Sequence, residues 1–224
     1  MLRDELRYIK AKYLFENNPR KLTENIYKKT LGKMPDLDEP QDLNEKISWL
    51  KLYSDTSKWT ELADKYKVRE YIKQCGFGEM LTKLYGVWDS PEEIDFEKLP
   101  NSFVLKTTNA SGTVIVVKDK TKLDLEKTKN QLKEWIRKWP RIAIKSGEFH
   151  YLPIKPRVIA EEFLQESNSF SKTLIDYKIW CFSGEPYNVW ACYDRIVHPF
   201  VALYDLNWQY HPEYSIFNNS YKRG

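Results

Sequence analysis

The sequence predicts an α+β protein of two lobes joined near residue 157, and three observations carry that expectation. Apolar residues recur at helical spacing before residue 75 and again over 123–139. Short apolar runs bounded by polar and turn-forming residues mark strands at 103–105, 114–117 and 156–164. The stretch LIDYKIWCFSGEPYNVWACYD, 174–194, reads as a hairpin around SGEP. Strands that alternate with helices and close into antiparallel hairpins belong to the α+β class.

Taken in order, residues 1–58 form a helical N-terminal region. In NPRKLTENIYKKTLGK, Leu22, Ile26, Tyr27 and Leu31 fall near helical spacing and Gly32 supplies a C-terminal cap. Proline and acid make MPDLDEPQD a loop. DLNEKISWLKLYS then places Leu43, Ile47, Leu50 and Tyr53 on one face, as an amphipathic helix does. This region reads as a packing and substrate-shaping cap. Residues 59–157 form the first lobe. Its opening segment, WTELADKYKVREYIKQ (59–74), reads as one helix in which Lys65 and Arg69, four residues apart, project from the same side. MLTKLYGVWDSPEEIDFEKLP supplies a short strand and a proline-punctuated loop. The strands at 103–105 and 114–117 are adjacent, yet TTNASGT separates them, longer than the about two to five residues of an ordinary hairpin. LDLEKTKNQLKEWIRKW (123–139) carries Leu125, Leu132, Trp135, Ile136 and Trp139 on one stripe and covers the sheet. Residues 158–224 make the second lobe: a strand ending in two carboxylates, the polar loop QESNSFSKT, and the hairpin of 174–194.

Composition narrows the function classes. Eight Trp, fifteen Tyr and ten Phe can fill a core, and 42% hydrophobic content with 30% charge excludes a disordered chain. No apolar run approaches the roughly 20 residues of a membrane span. The start, MLRDELRYIKAKYLF, mixes acidic with basic residues and has no apolar signal core, so a cytoplasmic location is expected. Cys75, Cys181 and Cys192 show no CxxC, and His150, His198 and His211 no zinc spacing, which points to reduced thiols without a metal site. A net charge of +4, with lysines spread along the chain, suits an anionic small ligand as well as nucleic acid.

Three places could carry chemistry. Lys106 closes an apolar strand beside Thr107, Thr108, Asn109, Ser111 and Gly112, small residues whose N–H groups and hydroxyls can approach an anion closely. The stretch lacks the spacing of a P-loop or a dinucleotide fingerprint, so read alone it also fits a plain surface hairpin. In AEEFL, Glu161 and Glu162 point to opposite sides of an extended strand, and one faces a given cleft. In DYKIW, Asp176 and Lys178 share a face about 7 Å apart, either as ligands of a ribose and a phosphate or as a salt bridge.

The order of LNEKISWLKLY, LADKYKVREYI, EIDFEKLPNSFVLKTTNASGTVIVVKDK, VIAEEFL and DYKIWCFSGEP resembles the ATP-grasp superfamily, and within it the TupA-like (teichuronopeptide biosynthesis) proteins of bacterial cell-surface polysaccharide pathways. The resemblance implies an ATP-grasp fold whose two lobes follow the helical N-terminal region. It implies that Lys65 and Lys106 hold ATP phosphates and that the loop with Thr108, Asn109, Ser111 and Gly112 closes over them. Glu161 and the backbone through Phe163 and Leu164 would line the adenine pocket, with Asp176 at the ribose and Lys178 facing the phosphates. Such proteins use ATP and Mg²⁺ to phosphorylate a carboxylate, and an amine then attacks the acylphosphate. The partners implied are ATP and a small-molecule or glycan-precursor carboxylate or amine, with no nucleic acid. Two features depart from the pattern. Thr108, Asn109 and Ala110 stand where the family has Asn-His and a further glycine. After Asp194 no paired Asp and Glu for Mg²⁺ is found, so the second lobe is expected to be incomplete, in a fragment of a longer protein or a form without its metal site. Two alternatives come from other classes: a non-catalytic nucleotide-binding module, and a glycosyltransferase using a sugar nucleotide. For the latter, Asp36 and Asp38 spell DxD, though in a proline-flanked acidic loop they read as solvated charge.

Overall fold

The computed structural model describes residues 2–165, 171, 173–194 and 200–214. Among them are six α-helices and two antiparallel sheets, the α+β class expected from the sequence. The chain divides into two units, Met1–Phe163 and Leu164–Gly224.

In the first unit, α1 (Leu2–Asn17) and α2 (Pro19–Leu31) pack through Ala11 and Leu22 against Ile144 near the end of a later helix. The Asn18 side chain accepts from the Lys21 N–H to start α2, and Gly32, with φ of 77°, returns its N–H to the Lys28 carbonyl to end it. α3 (Leu43–Tyr53) differs from expectation: the stripe of Leu43, Leu50 and Tyr53 is exposed, and the helix's buried side chain is Glu45. The reason is a capping box. Asp42 accepts from the Glu45 N–H, while Glu45 reaches back to the N–H groups of Asp36, Gln41 and Asp42, so its carboxylate is buried where backbone donors need it.

The sequence predicts one helix over 59–74, and the structure has two, α4 (Ser57–Ala63) and α5 (Lys67–Gln74). Asp64 makes the break. Fully buried, it takes an extended backbone (ψ 109°), and its Oδ1 accepts from the N–H groups of Tyr66 and Lys67, which starts α5 afresh. Lys65 therefore sits in the turn between the helices, not on a helix face with Arg69.

The first sheet runs β1–β4–β2–β3, built from β1 (Leu84–Trp88), β2 (Phe103–Thr107), β3 (Val114–Val117) and β4 (Val158–Glu162). β4 pairs with both β1 and β2, so the strand that the sequence assigns to the head of the second lobe lies inside the first unit, which extends to Phe163. α6 (Leu125–Ser146) covers this sheet: Leu132 is buried with Ile94, Phe96, Phe103, Leu105, Val158 and Ala160. The helix continues past Pro140, where the sequence ends it. Pro140 forfeits one backbone hydrogen bond, but Ala143 and Ile144 beyond it are buried, and that packing holds the last turns.

The second unit contains β5 (Asp176–Phe182), β6 (Glu185–Tyr193) and β7 (Phe200–Tyr204) in that order. Ser183 and Gly184 both have positive φ, 51° and 86°, so the predicted SGEP hairpin turns through two residues with the twist antiparallel strands require. β7 adds a strand that the sequence reading does not include. Most of the predicted QESNSFSKT loop lies outside the described residues. Among the described residues no helix is long and apolar enough to cross a membrane.

Candidate functional site

Antiparallel pairing of β2 with β4 sets Val104 opposite Glu161 and Lys106 opposite Ile159. Lys106 and Glu161 are therefore diagonal neighbours on one face, within reach of each other. The Lys106 ammonium donates to Glu161 Oε2 at 2.6 Å, and the other oxygen, Oε1, accepts from Arg69 Nη1 at 2.8 Å. Arg69 reaches from α5 and also donates through Nη2 to the Thr82 carbonyl at 2.5 Å. Arg69 and Glu161 are 9% and 6% exposed, whereas the Lys106 side chain keeps 31% of its surface. The next residue, Glu162, faces solvent, as strand alternation requires.

Lys65 joins this cluster from the turn between α4 and α5. Its N–H donates to the Thr108 carbonyl at 3.4 Å and its ammonium donates to the Ala110 carbonyl. Burial lowers the Lys65 pKa from the usual 10.5, and the positive charge of Lys106 lowers it further, while Asp64 and Glu161 oppose. Arg69 and Lys106 thus share Glu161, and Lys65 lies within electrostatic reach of Lys106, Asp64 and Glu161, three cations and two carboxylates in all. A cluster with a surplus cation, part of it accessible, attracts an anion.

The 108–113 loop is more firmly seated than a free flap. The Thr108 N–H donates to the Arg157 carbonyl at 2.9 Å, and its hydroxyl bridges the Lys155 carbonyl and the Arg157 N–H, each at 3.0 Å. The Thr107 and Thr113 hydroxyls pair at 2.6 Å across the base, and Ala110 packs on Trp139 and Ala143. Thr107, Thr108, Asn109, Ala110 and Thr113 are buried, and only Ser111 and Gly112 form an exposed tip. Gly112 has φ of 71°, a conformation that disfavours any side chain at the tip. Asn109 Oδ1 is buried with no hydrogen-bond partner among the described residues.

Of the residues singled out from the sequence, Lys65, Lys106, Thr108, Asn109, Ser111, Gly112 and Glu161 gather around this loop in the first unit. Phe163 ends that unit and Leu164 begins the second. Asp176 and Lys178 belong to the second unit, where they form an ion pair along β5. Asp36 and Asp38 organise their own loop: Asp36 accepts from the N–H groups of Asp38 and Glu39, and Asp38 accepts from Arg20 Nη1 and Nη2 at 2.8 and 2.7 Å. The sequence reading leaves Arg69 out of the site, because its carboxylate partner lies 92 residues away. The only local signal is its four-residue spacing from Lys65.

A family model described as TupA-like ATPgrasp matches residues 45–222, most of the chain. No curated protein and no solved structure matches it.

Proposed function

The chain belongs to the TupA-like ATP-grasp family, and on that premise we propose that its first unit binds ATP phosphates at Lys65, Lys106 and the 108–113 loop. The family carries ATP-dependent, ligase-like chemistry. The finer reading is a carboxylate–amine ligase: ATP activates a carboxylate as an acylphosphate, and an amine displaces phosphate to form an amide. The proposed setting is surface-polysaccharide biosynthesis on the cytoplasmic side, with a small-molecule or glycan-precursor substrate.

The observation that carries this reading is the nearness of two lysines beside one loop of small polar residues: Lys65, from the α4–α5 turn, donates to the Ala110 carbonyl and feels the charge of Lys106, which stands on β2 just before the loop. An ammonium presents three donors without directional demands, which suits phosphate oxygens. At the tip, Ser111 and Gly112 leave backbone N–H groups that an anion can approach. Partial desolvation strengthens the attraction, because both lysines act in surroundings of lower polarity than water.

ATP-grasp proteins generally use Mg²⁺ with ATP. Glu161 divides its oxygens between Arg69 and Lys106, Asp176 pairs with Lys178, and among the described residues no three His, Cys, Asp or Glu side chains come together as a metal site. The proposal assigns no residue to magnesium.

Thermal melting tests the reading. At a hundredfold excess over Kd, ATP is expected to raise the melting temperature by about 5–10 °C, and Lys106→Ala is expected to cut the rise at the same ATP concentration to about 1–5 °C. An unchanged curve at millimolar ATP contradicts the proposal. A rise with a uridine sugar nucleotide and none with ATP would favour a sugar-nucleotide enzyme instead.

A further inference from the structure

Glu161 serves two cations, and Lys106 is the more accessible of them. Lys106 keeps part of its surface accessible, while Arg69 is buried behind the carboxylate and pinned by Thr82. A buried carboxylate paired with Lys106 alone would hold that side chain in place and at the same time cancel its charge. With Arg69 on the far oxygen, the trio keeps one positive charge at its open end. Arginine suits the task because it stays ionised when buried and its planar fork spans Glu161 and the Thr82 carbonyl together.

We infer that Arg69 is a positioning residue for the phosphate site: it neutralises Glu161 from the buried side, so that Glu161 orients Lys106 without cancelling the charge Lys106 offers to an anion. The inference rests on the ATP-phosphate reading and adds a residue and a role to it. It also demands a sign that a purely structural Arg69 does not. Removing Arg69 lowers the local charge by one, and removing Glu161 as well restores it.

The test is ATP affinity by titration calorimetry across a double-mutant cycle. Arg69→Gln is expected to weaken binding about tenfold. The double variant Arg69→Gln/Glu161→Gln is expected to recover most of that loss. A double variant as weak as the single one, or weaker, overturns the inference, because a structural role predicts that outcome. Arg69→Lys keeps the charge and carries the test where the glutamine variant does not fold. It is expected to bind within about threefold of the native chain, and a tenfold loss overturns the inference. Native protein that does not bind ATP overturns the phosphate reading as well. Native binding with Arg69→Gln unimpaired overturns the role of Arg69 alone.

Discussion

Among the described residues, two lysine–carboxylate pairs sit on strands, and they share chemistry but not surroundings. Lys106 meets Glu161 across two strands of the first sheet, with the carboxylate buried and Arg69 on its other oxygen. Lys178 meets Asp176 along β5 of the second sheet, with the lysine side chain 49% exposed and the aspartate 32%. The first pair differs in the burial of its carboxylate, which also takes Arg69. Water screens the β5 pair, so it contributes little to stability. The β2–β4 pair sits where attraction is strong and where each charge depends on the others.

The largest expected effect follows from that dependence. Glu161→Ala leaves Arg69 buried without its counter-ion and is expected to lower unfolding stability by about 3–5 kcal/mol, whereas Asp176→Ala is expected to change it by less than about 1 kcal/mol. Urea denaturation of both variants measures the contrast. Similar midpoints would dissolve the distinction between the two pairs.

A smaller contrast lies within the loop. Thr108→Val removes a hydroxyl that serves Lys155 and Arg157, and is expected to cost about 1–3 kcal/mol. Ser111→Ala, at the exposed tip, is expected to stay within about 0.5 kcal/mol. Equal losses in denaturant would mean that the loop is not anchored at its base.

These contrasts also show what the sequence makes legible. The SGEP turn, the Gly32 cap and the placement of Lys106 near a strand end depend on neighbours a few residues away, and local pattern reveals them. Asp64 does not reveal itself, because an aspartate among helix formers looks like a surface residue until its buried carboxylate is seen starting α5. Pro140 gives a true stop signal that packing beyond it overrides. The threonines of TTNASGT read as ligand groups, although the hydroxyl of Thr108 serves backbone groups 47 and 49 residues away. Arg69 is the clearest case, since its burial is a property of β4 and not of its own helix. β7, a five-residue apolar run, is too short for periodicity to single it out.

The mildest prediction concerns pH. The proposed phosphate site needs the Lys65 ammonium, and burial together with Lys106 holds its pKa below the usual 10.5. ATP affinity is therefore expected to fall as pH rises through that lowered value, before an ordinary lysine would titrate. Lys65→Arg, which stays charged, is expected to flatten the profile. A profile that is flat in the native chain up to the ordinary lysine range would remove Lys65 from the site.

The central claim is that the buried cluster of the first unit supplies the phosphate-binding charge, and calorimetric titration of ATP into Lys106→Ala and Lys178→Ala tests it most directly. Loss of one charged hydrogen bond of roughly 1.5–3 kcal/mol predicts that Lys106→Ala weakens binding about ten- to a hundredfold, with a much smaller change in Lys178→Ala. Native affinity in Lys106→Ala, or a greater loss in Lys178→Ala, would contradict it.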